Sequence, residues 1–303
     1  MPELPDIVVY IEALAQRIVG KRLNIVRIIA PSLLRTATPP LGESEGKRVI
    51  QIRRLGKRIC IGLEDDRWLV LHLMIAGRLH WKPLGAKLAR PRGLAAFDFE
   101  NGTLLWTEAG SQKRASLHFV QGKAGLQALD PGGVEIFGSD LEGFAKALQA
   151  ENHTLKRALT DPRIFSGIGN AYSDEVLFQA QLSPMQLTQK MTPEQTARLF
   201  AATHATLQEW IDRLRSETGD KFPEKVTAFH DEMAVHGKYK EKCRRCGNVI
   251  QRIRYGSSEA NYCPFCQTDN KLLADRSLSR LLKEDWPKTP EAMETHIERR
   301  KRS

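Results

Sequence analysis

The sequence predicts an α+β multidomain chain: one helix and a β-sandwich or barrel, then a helical region, then a small Cys-rich β-hairpin. Three observations carry this. Apolar residues recur at helical spacing in residues 1–20, apolar/polar alternation dominates from Arg22 to about Val120, and helical periodicity returns from Asp140 to Ser216. At 303 residues the chain is long enough for more than one core.

The opening helix rests on Ile7, Tyr10, Ile11, Leu14 and Ile18, with Asp6 after Pro5 as its expected N-cap. The strand region includes NIVRIIA, RVIQIRRL, RICIGLE, RWLVLHLM, LAAFDFE and TLLWTE. Turns are expected at Glu64-Asp65-Asp66 and at Asn101-Gly102, the latter as a hairpin. QALDPGGVEIFG reads as a Gly- and Pro-rich linker. Helices follow at Asp140–Ala150, Thr154–Thr160, Asn170–Ala180 and Pro193–Ser216. Between the second and third, DPRIFSGIGNAYSDE is too Gly-rich for helix, so the pair forms a helix-turn-helix. No internal repeat is visible.

Lys and Arg number 46 against 36 Asp and Glu, a net +10. From Lys238 to Ser303 there are 16 basic and 9 acidic residues, so +7 lies in the last fifth. A localised basic surplus points to an anionic partner, nucleic acid before a membrane surface, against the plain alternative of a solvated tail. No apolar run approaches about 18 residues, so no membrane span is expected. The start lacks the basic region and cleavage site of a signal peptide, and a cytoplasmic location is expected.

CRRCG and NYCPFC place Cys243, Cys246, Cys263 and Cys266 as two Cys-x-x-Cys pairs with 16 residues between them. Two such pairs close a tetrahedral thiolate site, so one structural zinc is expected and no catalytic metal. VIQRIRYGSSEA between the pairs should be a β-hairpin, whose Arg252 and Arg254 either face phosphate or are ordinary surface. Cys60, in a strand run, reads as a small buried residue. SGIGN at 166–170 puts two glycines ahead of a helix N-terminus, a place that can hold phosphate. Lys156 lies on the preceding helix, and Asn170 can meet the same phosphate. Lys57, in RRLGKRI, sits beside a turn at a strand start.

These signals, taken with MPELPD at the start, resemble the formamidopyrimidine-DNA glycosylase / endonuclease VIII family of base-excision repair enzymes. The match runs in order over residues 1 to about 268: MPELPD, RRLGK, LHLMIAGRL, LKRAL…GIGNAYSDE and the four-Cys finger. The resemblance implies an N-terminal helix with a β-sandwich catalytic domain (1–135), a helix–two-turn–helix DNA-binding domain (136–234), a four-Cys zinc finger (235–268) and a basic tail (269–303). It implies a monomeric clamp on damaged double-stranded DNA, nucleoid-associated when bound, with the lesion flipped from the stack.

It also implies roles. Pro2, exposed as a secondary amine by loss of Met1, is the nucleophile. Glu3 is its acid–base partner. Lys57, Lys156 and Asn170 grip phosphates around the lesion, with Lys57 counted among the catalytic residues, and His72 and Glu175 also fall at matching positions. The implied reaction is base excision through a Schiff base, then strand nicking by elimination. An α-amino group, with a pKa of about 8, is partly neutral at physiological pH and so suits the attack.

The chain departs from the family pattern in four places. Asp6 stands where Glu is common. Ser258 replaces the finger arginine, leaving Arg252 or Arg254 as substitutes. In His72-Leu73-Met74-Ile75-Ala76-Gly77 the void-filling Met is displaced, so either Ile75 or Met74 takes its place. TEAGSQKRASL replaces the Asp-Pro-Arg-Arg-Phe-Gly loop, with Arg114 a loose counterpart. A simple transfer of the 8-oxoguanine-opposite-C preference is therefore not expected. The alternatives are a damage-recognition protein with reduced catalysis, an abasic-site lyase with an unusual lesion spectrum and, more remotely, an RNA-binding protein. In the tail, RSLSRLLKEDW carries helical periodicity and ERRKRS reads as a flexible basic end.

Overall fold

The computed structural model describes residues 1–303 except 111, 225, 227, 228, 256, 257, 275–285, 294 and 296–303. The expectations for RSLSRLLKEDW and ERRKRS fall outside the described residues, save for Trp286 of the former. The chain forms two compact units, one of Met1–Gly133 with Gln208–Ala228, the other of Val134–Leu207 with Phe229–Ser303.

The first unit opens with α1 (Leu4–Ile18), which buries Ile7, Tyr10, Leu14 and Ile18 completely. Its N-cap is Glu3, not Asp6. Asp6 is the third helical residue, and its carboxylate accepts the Glu3 backbone N–H at 2.8 Å. Pro5 has no N–H to leave unpaired and fits the first turn, so the helix starts one turn earlier than the sequence suggests.

Eight strands follow: β1 (Leu23–Ile28), β2 (Val49–Leu55), β3 (Arg58–Leu63), β4 (Arg67–His72), β5 (Gly77–Lys82), β6 (Gly93–Phe99), β7 (Gly102–Glu108) and β8 (Ser116–Gln121). They pair into two antiparallel four-stranded sheets, ordered β1-β6-β7-β5 and β2-β3-β4-β8. Both sheets give apolar faces to one core with α1, so the architecture is the sandwich. Two strands beyond the runs named above, β5 and β8, also alternate, with Leu79, Leu117 and Phe119 buried and Arg78, His80 and His118 less so. The expected hairpin is present, but its loop is Glu100-Asn101. Gly102 already pairs with Phe99. A Cβ on Gly102 would come within 2.4 Å of the Trp81 ring, so this glycine serves the packing of Trp81 rather than the turn.

The sequence linker is only partly irregular. A short helix, α2 (Gly122–Gln127), leads into it and ends on its first residue, the linker's last three residues, Ile136–Gly138, form a 3-10 turn, and Leu126 and Leu129 pack on Cys60, Trp68, Val70 and Val120. Cys60 is buried as expected, and burial pushes its thiol up to about 12.

The second unit holds α3 (Leu141–Gln149), α4 (Leu155–Thr160), α5 (Asn170–Gln179) and the first half of α6 (Pro193–Thr218). Phe144 stacks on Phe165 at 4.5 Å between ring centres. Gly167, with φ +86°, makes the turn between α4 and α5. β9 (Gln251–Tyr255) pairs antiparallel with β10 (Ser258–Tyr262), and α7 (Pro264–Thr268) follows. Part of the tail docks beside the finger: the Leu272 N–H meets the Lys288 carbonyl at 2.9 Å, and the Leu273 N–H meets the Tyr262 hydroxyl at 2.8 Å. Among the described residues no helix is long and apolar enough to cross a membrane.

Candidate active site and nucleic-acid interface

In the first unit the amino terminus is packed into the fold and is not a frayed end. Pro2 is buried, and Glu3 and Asp6 are 2% and 4% exposed. The first turn of α1 holds all three, and the Asp6–Glu3 hydrogen bond fixes the bend by which the chain enters the helix. Burial lowers the terminal amine below its ordinary pKa, and the nearby positive charges of Arg78 and Lys57 lower it further. Glu3 and Asp6 oppose that shift. Burial raises the Asp6 carboxyl to about 7, with the Glu3 N–H pulling it back and the Glu3 charge adding to the rise. The site thus gathers an amine, two carboxyl groups and two cations in a poorly solvated place.

Lys57 reaches this site from the turn between β2 and β3, where Gly56 takes φ +58°. Arg78 reaches it from β5, its guanidinium donating to the Gly77 carbonyl at 2.7 Å. Sequence reasoning missed Arg78 and gave Asp6 only a capping role. The signal for Arg78 was its place directly after Gly77. A Cβ on that glycine would come within 2.2 Å of the Leu73 carbonyl oxygen, so the turn from β4 to β5 is as tight as the chain allows.

That turn also decides how the displaced Met region is presented. Met74 takes a left-handed conformation with φ +54° and is half-buried, whereas Ile75 is 57% exposed. The rebuilt loop before β8 is held from beneath. Glu108 is buried, and its carboxylate accepts the backbone N–H groups of Arg114 at 3.1 Å and Ala115 at 3.3 Å. Arg114 is exposed and donates to Gln112 at 2.9 Å. His72 ends β4, and burial, reinforced by Arg58, Lys57 and His118, lowers it to about 4.

The second unit brings Lys156 and Asn170 together. Lys156, only 7% exposed, donates to the Asn170 carbonyl at 2.7 Å and to Asp174 at 2.6 Å. Asp174 in turn meets His236 Nδ1 at 2.8 Å. Its neighbour Glu175 accepts three backbone N–H groups, from Ala234, Val235 and His236, at 2.7, 2.9 and 2.9 Å. Burial raises the Glu175 carboxyl, and those three donors pull it back. The Asn170 side chain donates to the Glu259 carbonyl of β10 at 2.9 Å. So the turn into α5, the 234–236 segment and the zinc hairpin form one polar network. Arg252 pairs with Glu259 at 3.2 Å and lies 4.1 Å over the Tyr239 ring, while Arg254 is exposed. Asp174 and His236 carried no local motif and emerge only from the fold.

The sulfurs of Cys243, Cys246, Cys263 and Cys266 all lie within 4.8 Å of one another. Cys243–Cys266 and Cys246–Cys263 are 3.9 and 3.4 Å apart. Zn–S bonds of about 2.3 Å in a tetrahedron require sulfurs roughly 3.8 Å apart, so the four cysteines fit one structural zinc.

Three family models match the chain: the formamidopyrimidine-DNA glycosylase N-terminal domain over residues 1–119, the H2TH domain of the same family over 133–221, and the zinc finger found in FPG and IleRS over 240–268. The chain belongs to the formamidopyrimidine-DNA glycosylase family. Its family relatives include the formamidopyrimidine-DNA glycosylases of Variovorax paradoxus, 32% identical over 277 residues, and Heliobacterium modesticaldum, 31% identical over 284. Each alignment covers 88% of this chain and 100% of the relative. Among solved structures, Lactococcus lactis Fpg with abasic-site DNA has a TM-score of 0.78 at 26% identity, over 88% of this chain and 99% of that one. MutM with DNA containing carbocyclic 8-oxo-G has a TM-score of 0.79 at 26% identity, over 88% and 100%. The family likeness extends to the finger, whose model ends at residue 268.

Proposed function

We propose that this protein is a bifunctional DNA glycosylase and abasic-site lyase of base-excision repair, acting on oxidised or ring-opened bases in double-stranded DNA. The observation that carries the reading is the gathering of Pro2, Glu3, Asp6, Lys57 and Arg78 around a buried amino terminus.

After removal of Met1, the nucleophile is the secondary amine of Pro2. The buried setting that lowers the Met1 amine favours the neutral form that attack requires. Its lone pair forms a bond to the sugar C1′, the bond from C1′ to the base breaks, and the base leaves with a proton. Glu3 donates a proton to the ring oxygen as the sugar opens, leaving an iminium. The iminium acidifies the C2′–H. Loss of that proton expels the 3′ phosphate, and water then releases the amine. α1 supplies the positional tolerance this demands, since a misplacement of about 1 Å costs roughly 10²-fold.

Lys57 and His72 hold phosphates beside the flipped nucleotide, and Lys156 and Asn170 hold others. Ile75 is the side chain offered to the space the lesion leaves, with Arg114 the candidate on the rebuilt loop. Arg252 supplies positive charge from the finger. The protein acts as a monomer, in the cytoplasm and on nucleoid DNA.

Borohydride reduction in the presence of abasic-site duplex tests the nucleophile. The wild type is expected to give a covalent adduct, and Pro2→Gly or a form retaining Met1 to give far less. Equal trapping by all three would remove Pro2 from the mechanism.

A further inference from the structure

On the outer face of the second sheet, His72 is flanked by two residues that the proposed chemistry does not use, Arg58 and His118. Arg58 and His72 are directly opposed on β3 and β4, and His118 on β8 opposes Val70, two residues from His72 on the same face. Side chains so placed are about 5 Å apart when directly opposed and about 7–8 Å apart on the diagonal. His72, on the middle strand, therefore has Arg58 on one side and His118 on the other. Ser116 lies directly opposite His72 at the strand end. Arg35 joins the group from outside the sheet, its backbone N–H bonded to the Leu117 carbonyl at 2.9 Å.

Two atoms in this cluster are unsatisfied. Arg58 Nε and His118 Nδ1 are buried and have no hydrogen-bond partner among the described residues. A buried polar atom left unpaired is costly, and here two share one sheet face. The charges acting on His118 and His72 are all positive: Arg58 and Arg35 on the first, Arg58, Lys57 and His118 on the second. Arg58 feels one carboxylate, Asp130, which is exposed and already accepts the Gly132 N–H at 2.9 Å. The cations Lys57, Arg35 and Arg58 surround two imidazoles whose charged forms they disfavour, and the carboxylate acting on Arg58, Asp130, lies at the exposed surface, so this face is complementary to an anion.

We propose that Arg58 and His118, flanking His72, form a phosphate subsite for the DNA backbone, taking the phosphodiester next to the one held at Lys57. The assignment rests on the proposed function for its ligand and extends the backbone grip from the β2–β3 turn across the sheet to β8. Arg58 supplies a permanent charge and His118 a directed hydrogen bond, and the aligned strands set their spacing.

The test uses the full-length zinc-loaded protein and a duplex carrying a tetrahydrofuran abasic analogue, so that binding is read without strand chemistry. Dissociation constants are measured from 50 to 200 mM salt for the wild type, Arg58→Gln, His118→Asn and the double variant. Neutralising one phosphate contributes about 0.9 to the slope of log affinity against log salt. The double variant should bind more weakly with a slope shallower by about that amount. Arg58→Lys should restore most of it. Lys47→Gln, which removes a charge paired with Asp65 at the opposite end of the sheet, should not change it. If Arg58→Gln fails to fold, His118→Asn and Arg58→Lys still report on the site. A wild-type slope in double-variant protein that melts normally would overturn the subsite alone. Failure of the wild type to bind the abasic duplex would overturn the function and this subsite together.

Discussion

The two units bury carboxylates in opposite ways. At the amino terminus, Asp6 is buried with the backbone N–H of Glu3 as its main donor, and its carboxyl rises to about 7. In the second unit, Asp174 is buried between Lys156 and His236, and Glu175 accepts three backbone N–H groups. The first arrangement leaves protons free to move near an amine. The second is closed by hydrogen bonds and holds a shape. Burial raises the free energy of a charge in both places, and the two differ in how many donors answer it.

Several changes would break or sharpen that contrast. The largest effect is expected from zinc removal, because structural zinc sites are worth about 10–16 kcal/mol to the fold of their domain. Asn170 and Gly237 are tied to the hairpin through Glu259 and Asn261, so chelation should loosen the Lys156 network and weaken DNA binding severely. Borohydride trapping at saturating DNA should survive. Unchanged affinity of the metal-free protein would detach the finger from the grip.

Next comes Glu3→Gln. Base release should slow by about 10²–10⁴-fold, with affinity for a non-cleavable duplex nearly intact. A variant that excises at the wild-type rate would show the amino-terminal site to be as structural as the other.

Lys156→Met leaves Asp174 buried with only His236 opposite it. Breaking a buried pair from one side costs about 3–5 kcal/mol, which should appear in denaturant unfolding. Lys156→Met combined with Asp174→Leu should recover much of that stability but not DNA affinity. No loss in the single variant would mean the network is not the closed structure described.

The smallest effect concerns Asp6. Its folded pKa of about 7 lies above the ordinary 3.8, so the native state holds a proton that the unfolded chain has released. This contribution is fully present below pH about 4 and is lost as pH rises towards 7. Asp6→Asn should remove that part of the pH dependence, and unfolding free energies at pH 4.5 and 7.5 give the comparison. Equal slopes in the two proteins would mean that Asp6 does not titrate as a buried acid.

Legibility differed by kind of residue. The zinc ligands were readable because Cys-x-x-Cys spacing is local chemistry. α1 was readable because four of its five repeating apolar positions, Ile7, Tyr10, Leu14 and Ile18, are fully buried. Pro2 and Glu3 became meaningful through the family pattern, not through periodicity. The hairpin loop was placed one residue late, since Gly102 looks like a turn glycine until Trp81 is seen above it. Arg78, Asp174 and His236 were not found. Each matters through a partner distant in sequence, as with Asp174 and His236 across 62 residues.

By itself the sequence determined the helix, the two classes of periodicity, the metal site and, through five motifs in order, the family. These depend on local spacing and on covalent position, which folding does not alter. Only the tertiary structure decided that burial raises both Asp6 and Glu175, the second against three backbone donors, that Ile75 rather than Met74 is exposed, and that Arg58, His72 and His118 share one face. Those properties are set by desolvation, turn geometry and strand register, and all three arise only when distant segments pack.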